Sequence, residues 1–524
     1  EPSARVPDDR PGQTGMTDGF RNLGDVMGDR RLSDEVAIFS VDPKEGVREW
    51  RCHEIEAGTL AYAALLLRRG IQPGSTVGLF SKNSVHNLMA YQGIMRAGCV
   101  CVPVNIRQPA GIIRYICNDA EIRFAFTDKT AEALIPEGIE QVRLGTVETA
   151  GQAPPLPQAD ERSTALILYT SGSTGRPKGV VLSHYSQLSM IDAVTGGAES
   201  RLFDGQRGIV VAPMFHMNAL VFIASFLKGG GSIVLMPKFD AAQFADAIGT
   251  YGVRVITGVP TMIAMLHAAW REIGKPVFAQ VNTVYIGSAP VTEAIVEQAL
   301  EMMPNASVLN SYGTTETGGG LFGAHPDGLA RPPTSVGYPG RHVALRLDDE
   351  GSLVVRAPSM MTGYRKLPEL TASRLKDGWF NTGDLFERDE NGFFYFKGRA
   401  DDMFVCSGEN IYPGEVEQAI ESSPKVVQAA VVPVPDAIRG QMPVAFVVAA
   451  DGQVSEREVQ DHVGSNAAPY LYPRRVWFVD ALPLASTTKI DRRELMRRAE
   501  SLVAAGGNAV GTPTRRERRT AGRE

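Results

Sequence analysis

The spacing of hydrophobic and polar positions changes repeatedly along the chain. From Thr59 to about Asp128 the runs TLAYAALLLRRG, STVGLFSKN, HNLMAYQGIMRAG, VCVPVN, IRYICNDA and IRFAFTD switch between helical and strand periods, with turn residues between them. This alternation predicts α/β layers around a largely parallel sheet. The short runs GIVVAP (208–213), SIVLM (232–236), VRVITG (253–258) and VNTVYIG (281–287) continue it, with helical AAQFADAIGTYG, TMIAMLHAAWREIG and VTEAIVEQALEMM between them. Residues 160–330 therefore read as a second α/β layer system.

Near Val343–Val355 the texture becomes short alternating strands, HVALRLDDEGSLVVRAP, around a D-D-E-G turn, which predicts a small β-rich element closing the large domain. NGFFYFKGR (391–399) adds another strand. The segments GEVEQAIESS, VVQAAVVPVPD, MPVAFVVAADG, SEREVQDHVGSN and VWFVDALP then form a compact α+β set of roughly 100 residues. The expected organisation is a flexible leader at 1–30, a large N-terminal domain at 31–400, a small C-terminal domain at 401–505 and a disordered tail at 506–524.

Composition narrows the classes. With 44% hydrophobic and 21% charged residues in 524, the chain is ordinary globular material with enough apolar content for more than one core. Lys plus Arg number 53 against 59 Asp plus Glu, a formal charge of −6, so no overall basic field for nucleic acid exists. The five cysteines form no paired framework, which fits a reducing compartment. Cys99 and Cys101 alternate in an apolar strand and read as packing residues. The first 30 residues hold no long apolar run, so the expectation is a cytoplasmic protein without stable membrane insertion.

The strongest local chemistry is Tyr169-Thr-Ser-Gly-Ser-Thr-Gly-Arg-Pro-Lys-Gly179, directly after the apolar run STALIL. Gly172 and Gly175 allow backbone N–H groups to approach an anion, Thr170, Ser171, Ser173 and Thr174 add hydroxyls, and Lys178 adds positive charge. This is a phosphate cradle. It differs from the usual P-loop, because Gly179 follows the lysine where that motif has Ser or Thr. Of the eight scattered histidines, His216 in PMFHMNALVF is the one candidate for chemistry, a satisfied core histidine being the alternative.

TSGSTGRPKG, YGTTE (312–316), GWFNTGD (378–384), GRADDMFVCSGENIYP (398–413) and TTKIDRREL (487–495) follow one another in the order seen in the adenylate-forming superfamily. That superfamily comprises acyl- and aryl-CoA synthetases, luciferases and peptide-synthetase adenylation domains. The resemblance spans about residues 30–500 and is greatest to stand-alone acyl- or aryl-CoA ligases. It implies two half-reactions: a carboxylate and MgATP give acyl-AMP and pyrophosphate, then a thiolate takes the acyl group. Positioned cations and donors suffice for the first step, without a protein nucleophile.

By the same resemblance, Lys489 is the catalytic lysine of adenylation, Glu316 the Mg²⁺ ligand and Thr315 a donor to the α-phosphate. Tyr312 and Gly313 line the adenine or acyl side, with Thr314 in the same turn, and Gly287, Ser288, Ala289 and Pro290 border adenine. Asp384 accepts the ribose hydroxyls beside Arg399. Asp401 is the hinge about which the small domain rotates, exchanging Lys489 for the CoA-facing loop of Ser407, Gly408 and Glu409. His216 lies by the carboxylate, and Asn218, Ala219, Leu220, Val221 and Phe222 border the acyl pocket. The chain departs from the common pattern at Thr488 and Ser407, where relatives often carry glycine. Arg474 and Arg475 read equally as phosphate contacts or solvated charge.

No Lys or Arg occurs from Pro213 to Leu227, which favours a neutral medium-chain or aromatic acid. The expected function is an ATP- and Mg²⁺-dependent acid–CoA ligase, with ATP, the acid and coenzyme A as its small-molecule partners. The alternative keeps adenylation and transfers the acyl group to an amine or to a separate carrier-protein thiol. Monomer and homodimer are both compatible with the sequence.

Overall fold

The computed structural model describes residues 22–504 except 43–45, 148–154, 158–159, 171–175, 198–200, 275, 408, 437–438, 451–453, 469–470 and 486–488. Ser171, Gly172, Ser173, Thr174, Gly175, Gly408 and Thr488, with most of the expected leader and the tail, lie outside the described residues.

Two seven-stranded sheets form the large domain. One runs, in spatial order, Ser307–Ser311, Thr283–Gly287, Val255–Gly258, Arg207–Val210, Ser232–Leu235, Val36–Asp42 and Gly46–Arg51. All neighbours are parallel except the last pair, a hairpin. The other runs Gly363–Tyr364, Lys178–Ser183, Thr164–Thr170, Val100–Pro103, Thr76–Phe80, Phe124–Thr127 and Glu140–Arg143. It is antiparallel only at the Lys178–Ser183 edge. Both sheets are fully buried at their centres and read as continuous apolar strands, as parallel layers covered by helices must.

The layers do not follow the two sequence blocks. Strands 164–170 and 178–183 join the first block's sheet, while the hairpin 36–51, which precedes that block, joins the second sheet beside Ser232–Leu235. Hydrophobic period identifies a strand but carries no address for its partner. The leader also needs correction at its end. Leu23, Val26 and Met27 are buried in the main core, and the Leu23 N–H donates to Nδ1 of buried His184 at 3.0 Å, so residues 22–30 are packed structure.

The β-rich element lies where the D-D-E-G turn predicts it. Ala344–Leu347 and Ser352–Arg356 pair antiparallel, and Asp348 Oδ1 accepts the N–H groups of Glu350 and Ser352 at 3.1 and 2.8 Å. Strands Trp379–Arg388 and Phe394–Arg399 extend the same sheet. A 3-10 turn at Ala400–Asp402 follows. It leads into a small α+β domain whose sheet orders Glu409–Ile411, Phe404–Cys406, Gly440–Ala449 and Val426–Asp436, with Arg475–Phe478 added in parallel.

That small sheet has a core on each face, Ile411, Val416 and Val459 on one and Phe446, Trp477 and Leu495 on the other. Arg492 pins the last helix, Arg492–Ala504, with two bonds to Glu417 at 2.6 and 2.8 Å and one to the Val431 carbonyl at 2.7 Å. Among the described residues no helix is long and apolar enough to cross a membrane. All five cysteines are buried and free, as packing residues.

Candidate active site

A cleft of about 4780 Å³ runs between the two domains. A pocket for one small ligand is about 300–1,000 Å³, so this cleft has room for several substrates together.

One wall carries Asp384. The strand pair sets Asp384 opposite Arg399, whose Nε lies 3.3 Å from Oδ1, while the Tyr312 hydroxyl donates to Oδ2 at 2.6 Å. Tyr312 in turn stands edge-on to Phe386, with ring centroids 4.8 Å apart. Burial raises the Asp384 carboxyl above its ordinary value, opposed by the Tyr312 bond and the Arg399 charge. The result is an acceptor oriented in advance, suited to a pair of hydroxyls.

The turn after Tyr312 is closed by Gly318 N–H to Thr314 O at 2.9 Å. A Cβ at Gly313 would sit 2.5 Å from the Gly318 carbonyl, so the turn requires glycine there. The turn delivers Thr315 and Glu316 to the cleft. The Glu316 carbonyl accepts the Met361 N–H at 2.8 Å, and its Oε1 accepts the Tyr364 hydroxyl at 3.0 Å. Opposite, antiparallel pairing of Thr170 with Lys178 brings the cradle lysine to the cleft, its Nζ 5.8 Å from the centre of the Tyr364 ring. Gly287 to Pro290 line the cleft as well. A Cβ at Gly287 would meet the Ser311 carbonyl at 2.5 Å, and Ser288 has φ of +65°, an uncommon left-handed backbone for serine.

The small domain contributes Lys489. The Lys489 carbonyl accepts the Ala485 N–H at 2.7 Å, and Leu484 bridges Ile490. Lys489 lines the cleft and is exposed to it. Displaced water holds it below the ordinary lysine value, Arg399 adds to this, and Asp384 and Glu316 act against it. Lys489 also acts on His216, whose pKa burial lowers to about 4, with Lys489 and Arg107 adding to the effect. His216 is thus a neutral imidazole at physiological pH. Its Nε2 is shielded and has no hydrogen-bond partner among the described residues.

The helix Met217–Lys228 begins at His216 and lays Asn218, Val221, Phe222 and Ser225 along the cleft at i, i+3, i+4 and i+7 spacing. Ala219 and Leu220, expected in the acyl pocket, are buried in the core and do not line the cleft. Of the expected residues Asn218, Val221 and Phe222 line the cleft, and Ser225 joins them, because a helix presents only one stripe to one neighbour. Thr257 Oγ1 donates to Asn218 Oδ1 at 3.2 Å. Arg331, a cation in the lining, donates to the carbonyls of Asn310 and Ser335.

Asp401 lines the cleft, 3.9 Å from Arg374. Ser407 and Glu409 do not reach it. They sit exposed on the hairpin of Phe404–Cys406 and Glu409–Ile411, outside the cleft lining. Arg474 and Arg475 are likewise outside the lining. Sequence reasoning missed Tyr364 and Arg107, because neither belongs to a motif and both act through space.

A magnesium ion would be held by few protein groups. Among the described residues no cluster of three His, Cys, Asp or Glu exists, so Glu316 would share the ion with substrate phosphates. Its carboxylate is a hard donor with one oxygen bonded to Tyr364, and it fits that use.

The AMP-binding enzyme family matches residues 29–365, and the AMP-binding enzyme C-terminal domain matches residues 415–489. Feruloyl-CoA synthase of Amycolatopsis sp is 33% identical over 457 residues, 82% of this chain and 90% of that protein. 2-Succinylbenzoate–CoA ligase of Bacillus cereus is 30% identical over 445 residues, 83% of this chain and 90% of that protein. The crystal structure of ATP-bound MatB from Rhodopseudomonas palustris superposes with a TM-score of 0.79 at 27% identity, covering 92% of this chain and 99% of that one. Two matched domains, a cleft between them and relatives aligned over most of their length show that the chain belongs to the AMP-binding enzyme family, as an ATP-dependent enzyme of the adenylate-forming acid–CoA ligases.

Proposed function

We propose that the protein activates a neutral aromatic or medium-chain carboxylic acid as its acyl-AMP and passes the acyl group to coenzyme A. The observation that carries this reading is that Lys489, Asp384, Glu316, Arg399 and His216 line one cleft, with Lys489 coupled through charge to each of the other four. In the first step a carboxylate oxygen attacks the α-phosphorus of ATP and pyrophosphate leaves. Lys489 offsets the negative charge that gathers between acid and phosphate, and Lys178 attracts the phosphate chain. Asp384 and Arg399 hold the ribose. Mg²⁺ on Glu316 would neutralise phosphate charge. Neutral His216 presents no cation to compete with Lys489 for the carboxylate.

The acid's body would lie along Asn218, Val221, Phe222 and Ser225. That stripe has no charge, and Arg331 is engaged by carbonyls, so a second substrate carboxylate finds no dedicated partner there. In the second step the CoA thiolate attacks the acyl carbonyl and AMP leaves. Ser407 and Glu409 lie outside the cleft while Lys489 occupies it. This supports a rotation about Asp401 that exchanges the two between steps.

The test is an acid panel with ATP and CoA, followed by mass spectrometry for AMP, pyrophosphate and acyl-CoA. It should contain aromatic, medium-chain and dicarboxylic acids of similar length. Neutral acids are expected to give thioester at the highest kcat/KM. Preference for dicarboxylic acids would overturn the substrate class. Acyl-AMP that goes to an amine or carrier thiol and never to CoA would overturn the acceptor.

A further inference from the structure

Tyr364 belongs to none of the motifs, yet it touches two of the groups that meet at the phosphates. The two-residue strand Gly363–Tyr364 adds to the edge strand Lys178–Ser183, with Tyr364 opposite Val180. Thr362 N–H donates to Val181 O at 2.9 Å and Arg365 N–H to Gly179 O at 2.8 Å, so the register is held on both sides of Tyr364. Its own N–H donates to Thr371 Oγ1 at 2.9 Å. Arg365 Nε reaches the Asp119 carbonyl at 2.8 Å and ties the segment down further. The backbone under the Tyr364 ring therefore has little freedom.

Strand periodicity puts Lys178 and Val180 on one face, and this brings the lysine to the Tyr364 ring at 5.8 Å. The hydroxyl at the far end of that ring reaches Glu316 Oε1 at 3.0 Å. Met361, three residues earlier, holds the Glu316 carbonyl, so one short segment grips Glu316 by main chain and side chain together.

A lysine and a carboxylate serving the same phosphates attract each other. A direct pair would cancel the two charges that the substrate needs. The tyrosine removes this conflict: its neutral hydroxyl orients the carboxylate without cancelling its charge, and its ring face attracts the ammonium without neutralising it.

We propose that Tyr364 is a positioning residue of the adenylation step, which keeps Glu316 turned to the metal–phosphate group and Lys178 turned to the phosphates while holding the two apart. This rests on the adenylation reading above, in which Glu316 serves the metal and Lys178 the phosphates.

The experiment uses the full chain and two substitutions. Tyr364→Phe removes the hydroxyl and keeps the ring; Tyr364→Leu removes both. Nucleotide binding is followed by calorimetry with ATP plus Mg²⁺ and with ATP plus a chelator. Pyrophosphate release is followed against Mg²⁺, and thioester formation is started from supplied acyl-AMP and CoA.

For Tyr364→Phe, affinity for MgATP is expected to fall about tenfold, with a matching rise in the Mg²⁺ needed for half-maximal pyrophosphate release. Metal-free ATP binding and thioester formation should stay within about twofold of the parent. Tyr364→Leu should in addition weaken metal-free ATP binding, because Lys178 loses its ring. Equal losses with and without Mg²⁺ in Tyr364→Phe, equal losses in both half-reactions, or unchanged MgATP binding would overturn the proposal. A parent enzyme that binds MgATP but forms no acyl-AMP with any acid would refute the adenylation reading instead. The ratio of MgATP to ATP affinity would still decide the role of Tyr364.

Discussion

On the large-domain side of the cleft, Asp384 and Glu316 each accept a tyrosine hydroxyl, at 2.6 and 3.0 Å, from tyrosines that are themselves packed or held in register. On the small-domain side, the Lys489 carbonyl accepts the Ala485 N–H, and its side chain is coupled to Arg399, Asp384 and Glu316 of the other wall through charge. On the Ser407 hairpin, Val405, Ser407, Glu409 and Asn410 are exposed, while Phe404, Cys406 and Ile411 are buried in the small domain's core. One wall is organised before substrate arrives, which is what stabilising a transient charge requires. The other is attached through the turn at Ala400–Asp402.

Four perturbations test that contrast. Lys489→Ala is expected to lower pyrophosphate release by about 10²–10³-fold, the scale of losing one preorganised charge-stabilising group. Thioester formation from supplied acyl-AMP should largely survive. Equal loss in both assays would mean that the lysine is not specific to one step.

Asp384→Asn probes the fixed wall. KM for ATP should rise about 10–100-fold as a charged acceptor is lost. The parent should also discriminate against 2′-deoxy-ATP, and the variant should not. Discrimination that persists in the variant would remove Asp384 from the ribose.

The third test addresses how the walls meet. Glu421 closes the helix Pro413–Glu421 and lines the interdomain cleft, while Val427 packs on the large-domain core. Burial pushes the Glu421 carboxyl up to about 8; Glu417 adds to this, and the Ala429 N–H, the Thr292 hydroxyl and Arg492 oppose it. A carboxyl raised on folding favours the folded state below its unfolded value, and that advantage is lost as pH rises to about 8. Glu421→Gln stays neutral, so its melting temperature should fall less between pH 5 and 8.5. The difference should correspond to about 1–2 kcal/mol, a figure reduced from full burial because water reaches the crevice. Parallel melting curves against pH for the two proteins would contradict this.

The smallest effect is expected at Ser407. Its φ of +54° is left-handed, with its N–H bonded to the Arg439 carbonyl at 3.0 Å. Glycine would relieve about 1 kcal/mol of backbone cost and lose a similar amount through greater freedom of the unfolded chain. Stability should change little, and single-turnover thioester formation should shift by about two- to threefold in its CoA dependence. A changed adenylation rate with unchanged CoA dependence would place the residue elsewhere.

Much of this molecule was legible from local pattern. Period and turn residues located the strands at 76–80, 100–103, 255–258 and 283–287 and the Asp348 turn, because side-chain alternation and turn chemistry are short-range properties. Spaced motifs put forward Lys489, Glu316 and Asp384 as candidates, since each motif carries its chemistry within a few residues, and all three line the cleft. Tertiary structure alone decided the rest. It put the hairpin 36–51 into the distant sheet, packed residues 22–30 against the core, turned Ala219 and Leu220 away from the cleft and brought Ser225 to it. It also joined Tyr364 to Glu316 across 48 positions and Tyr312 to Asp384 across 72. A strand edge or helix face is written in the chain, but its partner is selected by burial over the whole molecule, and no local pattern encodes that choice.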